Sequence, residues 1–301
     1  MAHSKIIKSI IITGTLFLII FCLINLKNLQ CSKFGDFLFD KLLGLNSDCY
    51  ERKIRGVINP HVKNQEARYA YTKDKKKINC PNNSIVIIIS GQSNSSNFLK
   101  SFKRYKNKHV NYYNKKCYNL SNPSLGAEGE MSSIAPALAS KLNNFKKIIF
   151  ITSGRGGKSI VNSDDNNRNF INYNIQALKE MEKKNNYLKF FIWIQGESDV
   201  GNSQKYTENF NNIYDSIVSN SNNKENVQLI ITQTTKCKSK EDKYLRAKQK
   251  EISLSKNKFI NIINTDLLGN EFRYDDCHFN EKGIEKISED LSNIIKKLLP
   301  K

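Results

Sequence analysis

Four short stretches carry residues of the kinds that do nucleophilic and acid–base chemistry. "IVIIISGQSNSSN" (Ile85–Asn97) runs five apolar residues into a small polar turn that holds Ser93. "TSGRGGKSI" (Thr152–Ile160) and "WIQGESD" (Trp193–Asp199) end apolar runs in glycines, hydroxyls, an amide and carboxylates. "YDDCHFNEKG" (Tyr274–Gly283) sets Asp275 three residues before His278. One loop turn at that spacing can place the carboxylate against one imidazole nitrogen and leave the other facing a serine. A histidine acting as general base needs such a partner, which fixes its tautomer and stabilises the imidazolium formed in the reaction. The other histidines are less well placed. His3 precedes an apolar N-terminal run, His61 lies in a polar, lysine-rich stretch and His109 opens a short segment "HVNYYN".

The elements that must position these residues follow from hydrophobic periodicity. Apolar runs of strand length occur at Ile85–Ile89, Ile148–Thr152, Leu188–Ile194, Val227–Thr232 and Phe259–Ile263. Between them lie helical spacings: Ile171, Ile175 and Leu178; Tyr206, Phe210, Ile213 and Ile217; Ile284, Ile287, Leu291, Ile294 and Leu298. "SSIAPALASKL" before the second run reads as a further helix, and "HVNYYN" as a further strand. Strands apolar on both faces and separated by amphipathic helices predict an α/β chain, a three-layer α/β/α domain on a parallel sheet. In such sheets ligands bind beyond the carboxyl ends of the strands, which is where all four stretches fall. Neither a G-x-G-x-x-G turn nor a Walker loop accompanies them, so nucleotide binding has no support.

Taken together, "GQSN", "GGKSI", "WIQGESD" and "DDCHFN" (Asp275–Asn280) resemble the blocks of the SGNH/GDSL hydrolase superfamily, in the branch of sialate O-acetylesterases and related carbohydrate acetylesterases. The likeness runs from Ser84 to the C-terminus. It implies a flavodoxin-like fold and hydrolysis of acetyl esters on carbohydrates with no metal and no cofactor. Carried over to this chain, it implies Ser93 as nucleophile, His278 as general base and Asp275 as the carboxylate that orients it. The Ser93 amide, the Gly157 amide (or that of Gly156) and the Gln195 side chain are the implied oxyanion donors. Glu197, Lys158 and Gln92 are the expected substrate contacts, while Asp199 holds its block together or touches sugar. The chain departs from the family's pattern at Ser95, where Met is common, and at Lys158, where Thr is common. Both departures bear on specificity, and Lys158 can pair with the carboxylate of an acidic sugar. Two other activities fit the same blocks: transfer of the acyl group to a glycan, since both reactions pass through an acyl-serine, and glycan binding without turnover.

Outside these blocks the chain is basic, with 48 Lys+Arg against 28 Asp+Glu and a formal net charge of +20. The lysines are spread throughout and no nucleic-acid motif accompanies them, so nucleic acid is not an expected partner. The uncharged run Ser9–Leu26, flanked by Lys5, Lys8 and Lys27, is long enough to cross a bilayer core and lacks a small-residue cleavage pattern. It predicts an N-terminal transmembrane signal anchor over residues 1–30, with secretion after cleavage as the alternative. A stem over 31–83 and the esterase domain over 84–301 follow, the latter on the exoplasmic or luminal side. The six cysteines beyond Cys22 suit disulfides in an oxidising compartment, and Cys237 with Cys277 is the expected pair at the site's edge. Asn94 lies in an N-x-S sequon on the Ser93 turn and is expected to stay unmodified.

Overall fold

The computed structural model describes residues 75–161, 164–238, 240–255 and 260–299. The strands are β1 (Lys77–Ile78), β2 (Ile85–Gly91), β3 (Val110–Tyr113), β4 (Lys116–Asn119), β5 (Ile149–Thr152), β6 (Tyr187–Gln195), β7 (Gln228–Gln233) and β8 (Ile260–Asn264). The helices are α1 (Ile134–Lys141), α2 (Asp164–Glu182), α3 (Tyr206–Val218), α4 (Lys243–Ser255) and α5 (Glu281–Leu298). The strands form one sheet in the order β1-β4-β3-β5-β2-β6-β7-β8.

Successive side chains of a strand point to opposite faces, and β2 divides the core accordingly. Val86 and Ile88 pack with Leu178, Phe210, Ile213, Leu245 and Ile252, so α2, α3 and α4 cover one face. Ile87 and Ile89 pack with Leu138, Ile284, Ile287, Leu291 and Ile295, so α1 and α5 cover the other. Burying side chains of this size contributes about 1.5–3 kcal/mol each. The start of α5 is fixed by Asn280, whose Oδ1 accepts a hydrogen bond from Gly283 N at 3.2 Å.

The expected parallel sheet needs correction, because the sheet is mixed. From β3 to β8 in sheet order the neighbours pair parallel, but β4 pairs antiparallel with both β3 and β1. The reason is local. Only Asn114 and Lys115 separate β3 from β4, both with positive φ (52° and 61°), and a two-residue turn cannot make the crossover that parallel pairing requires. The fold class that included a transmembrane helix is corrected as well. Among the described residues no helix is long and apolar enough to cross a membrane, and Ser9–Leu26 lies outside those residues, as does most of the expected stem. Within the stem's last residues, β1 pairs with β4 and Cys80 is bonded to Cys117.

Candidate active site

β2 lies inside the sheet between β5 and β6, and its carboxyl end carries the first chemical block. Gly91 makes that placement possible. Its φ is +136°, and a Cβ there would fall 2.0 Å from Ile194 O of β6. With no side chain in the way, the backbone stays close to β6, and Gln92 N donates to Ile194 O at 3.0 Å. The chain then turns through a short 3₁₀ segment, Ser93–Ser95, closed on the Gln92 carbonyl by Ser95 N (2.9 Å), Ser95 Oγ (2.6 Å) and Ser96 Oγ (2.9 Å). Ser93 is 5% exposed.

Asp275 and His278 meet as their spacing predicts. His278 Nδ1 lies 2.7 Å from Asp275 Oδ2, and Asp275 Oδ1 accepts from the His278 amide at 2.7 Å and the Cys277 amide at 3.2 Å. Burial pushes the Asp275 carboxyl up, but these bonds and the nearby imidazole outweigh it and hold the group below the usual carboxylate value. Asp276, with φ +59°, turns the loop between the pair. Tyr274 stacks on the imidazole with ring centroids 5.9 Å apart, and Phe98 lies 6.2 Å from it.

Asn94 joins the Ser93 turn to the His278 loop. Its Nδ2 donates to Cys277 O at 3.2 Å and to Glu197 Oε1, and its Oδ1 accepts from Phe279 N at 3.2 Å. The residue after Ser93 thus grips both residues that flank His278. Asn94 is fully buried, so its sequon has no room for a glycan in the folded chain. Arg273 adds a second hold on Cys277 O through Nη1 at 2.5 Å, and Cys277 is bonded to Cys237, the pairing expected from the sequence. Among the described contacts no hydrogen bond joins Ser93 Oγ to His278. Such bonds are often long in an unliganded site and tighten around the substrate.

Several expected site residues have different surroundings from those the blocks suggest. Gln195 Nε2 donates to Asp199 Oδ2 and to Lys158 O at 3.2 Å, so both of its protons are engaged inside the protein. Gln92 is buried, and its Oε1 accepts from Gly196 N (3.3 Å) and Ser198 N (3.1 Å). It braces the turn against the third block. Glu197 turns its carboxyl inward to Asn94. Burial raises its pKa to about 7 despite the Asn94 bond and the charges of Arg273 and His278. Its Oε2 is buried without a hydrogen-bond partner. Asp199 is the tie between blocks, accepting from Ser159 Oγ, Ile160 N (3.0 Å) and Val161 N (3.2 Å).

The two candidate glycines also differ. The Gly156 amide donates to Glu128 Oε2 at 2.8 Å, whereas Gly157 is exposed, with φ +62° and open space where a Cβ would stand. Lys158 follows it, half-buried. His109 belongs to the core. Its Nδ1 accepts from Ile148 N at 3.0 Å, and burial lowers its pKa to about 4.

A family model described as "Carbohydrate esterase, sialic acid-specific acetylesterase" matches residues 83–297, a span that contains every block above. The chain belongs to this family. As a member of the acetylesterase family it is an esterase-type hydrolase, and the family implies an O-acetylated carbohydrate as substrate. Two solved structures share the fold. A protein from Arabidopsis thaliana aligns at TM-score 0.55 with 14% identity, covering 73% of this chain and 100% of its own. NanS aligns at TM-score 0.50 with 13% identity, covering 73% of this chain and 99% of its own. No curated protein matches the chain in sequence.

Within this acetylesterase, the sequence reading missed Asn94 and Arg273 as holders of the His278 loop, and Phe98 and Tyr274 as the rings beside the imidazole. Tyr274 and Arg273 stand within five residues of His278, a proximity that could have flagged them. Asn94 and Phe98 are about 180 residues away, and nothing in their local pattern announces the contact.

Proposed function

We propose that the chain removes acetyl groups from O-acetylated sugars by a serine esterase mechanism. In this reading Ser93 Oγ attacks the ester carbonyl while His278 takes its proton through Nε2. Asp275 keeps the imidazole in the tautomer that leaves Nε2 able to accept, and it stabilises the imidazolium. The same imidazolium then protonates the sugar oxygen as its bond to the acetyl carbon breaks, releasing the sugar hydroxyl and leaving acetyl-Ser93. Water attacks the acetyl-serine with His278 again as base, and acetate departs. The oxyanion is held by the amides of Ser93 and Gly157, each such donor being worth roughly 10²–10³ in rate. Gln195 supports the Lys158 carbonyl, and with it the Gly157 loop, from behind. The observation that carries this reading is the bidentate grip of Asp275 on the His278 ring and amide, in a loop that Asn94 fastens to the Ser93 turn.

Lys158 next to Gly157 supports an acidic sugar as the substrate, its ammonium pairing with the sugar carboxylate. The test is acetate release from O-acetylated sialic acid and from a neutral sugar acetate. Ser93→Ala should abolish both activities, and Lys158→Ala should lower the preference for the acidic substrate about tenfold, the worth of one charge-assisted contact. Turnover that survives Ser93→Ala refutes the nucleophile, and an unchanged preference refutes the role of Lys158.

A further inference from the structure

A second concave surface starts from the sheet edge that carries Ser93 and runs beside α2. The tip of the β3–β4 turn and the C-terminal half of α2 enclose a groove of about 360 Å³, within the size range of small-ligand pockets. Tyr112 and Tyr173 form its wall, Asn114 and Gln176 offer amides, and Lys115 and Lys179 offer ammonium groups. Lys183 and Glu180 pair with each other at 2.7 Å on its rim, leaving two lysine charges beyond that pair.

Three features make this groove more than a solvated basic face. First, β3 runs parallel to β5 and β2 and stands two strands from β2, so its carboxyl end is about 10 Å along the edge from the Ser93 turn. The would-be Cβ of Gly126 marks the junction, lying 2.4 Å from Thr152 O at the end of β5 and 2.6 Å from Tyr173 Oη. Second, the rim is rigid. Cys117, opposite Tyr112 in the β3–β4 pairing, is bonded to Cys80, and Tyr173 Oη donates to Tyr112 O at 3.3 Å. Third, Lys115 has φ +61° in a turn whose second central position favours glycine. A long cationic side chain held there at some backbone cost projects from the tip of the turn.

We propose that this groove is a subsite for a carboxylate-bearing sugar unit of the glycan. The half-buried Tyr173 ring offers an apolar face to the sugar, with Tyr112 buried behind it, the amides of Asn114 and Gln176 meet its hydroxyls, and Lys115 and Lys179 pair with its carboxylate. The proposal relies on the esterase reading only for which glycan runs along the edge.

The test is binding of a sialic acid trimer to the full chain, measured by calorimetry, with cellotriose and inorganic phosphate as comparison ligands. Lys115→Gly suits the turn and Lys179→Ala suits an exposed helix position, so the doubly substituted chain keeps its fold. Its Kd for the trimer should rise about tenfold or more. The proposal is overturned if that Kd is unchanged, or if cellotriose or phosphate binds the unaltered chain as tightly as the trimer does. It is equally overturned if only Lys158→Ala weakens the trimer, since binding then belongs to the loop after β5. Hydrolysis of p-nitrophenyl acetate, run beside it, reports on Ser93 alone. Absence of that activity from the unaltered chain, with its trimer binding present and weakened by the double substitution, would count against the esterase reading and not against the groove.

Discussion

Replacing Asn94 by Ala tests how the general base is held. The substitution removes the acceptor for Phe279 N and the donor to Glu197 Oε1, both buried, while Cys277 O keeps Arg273 Nη1 at 2.5 Å. Two buried groups left unpaired cost about 1–3 kcal/mol each, so the chain should lose roughly 2–6 kcal/mol of stability. The effect on rate comes from His278, whose two neighbours lose one anchor each. A displacement of the imidazole by about 1 Å costs on the order of 10² in rate. Asn94→Ala should therefore lower kcat/KM for p-nitrophenyl acetate about a hundredfold in protein that urea titration shows to be folded. Asn94→Asp separates packing from charge. It keeps the acceptor for Phe279 N but sets a second carboxylate against Glu197, so its deficit should shrink in acid as Glu197 takes up a proton. A folded Asn94→Ala protein with kcat/KM within threefold of the unaltered chain would refute the idea that Asn94 positions His278.

Three other outcomes follow from the same contacts. Burial raises Glu197 from its ordinary 4.5 to about 7, so its ionisation erodes folded stability as pH rises from 4.5 through 7. At about 1.4 kcal/mol per pH unit the full loss is on the order of 3 kcal/mol. Glu197→Gln should match the unaltered chain in urea unfolding near about pH 4 and exceed it by that amount near about pH 8; equal pH profiles would contradict the burial. Asp275 is shifted the opposite way, so its contribution is present above the ordinary carboxylate value and fades as pH falls through the lowered one. Asp275→Asn should lower kcat by about 10³–10⁴ at neutral pH through the wrong imidazole tautomer, and its stability deficit should vanish in acid. Removing the Cys237–Cys277 bond by replacing both residues with Ala should cost about 2–4 kcal/mol and lower kcat/KM beyond what the unfolded fraction explains, measured on the folded population.

Much of this architecture is legible in the sequence, for identifiable reasons. Strands buried on both faces must be apolar throughout, so β2, β5, β6 and β7 stand out. The short strand β4, "KCYN", buries only Cys117 and Tyr118, and the edge strand β1 is two residues long, so neither makes a pattern. The α4 helix escaped notice because its buried face holds Gln249 between Leu245 and Ile252. That glutamine is fully buried to donate to Gln195 O at 2.8 Å, which replaces an apolar contact with a polar one. The same logic divides the site. Asp275 and His278 meet through a three-residue spacing that is visible locally. The partners of Gln92, Asn94 and Gln195 lie on other blocks, so the bonds by which these amides tie the blocks together have no local pattern to announce them.

The central claim is that Ser93 carries the acetyl group between ester and water. Acid-quenching the chain during turnover of an excess of p-nitrophenyl acetate, followed by peptide mass spectrometry, addresses it directly. One acetyl group is expected on the peptide containing Ser93, absent from Ser93→Ala. Steady hydrolysis with no acetylated Ser93 peptide, or with the label on another residue, would contradict it.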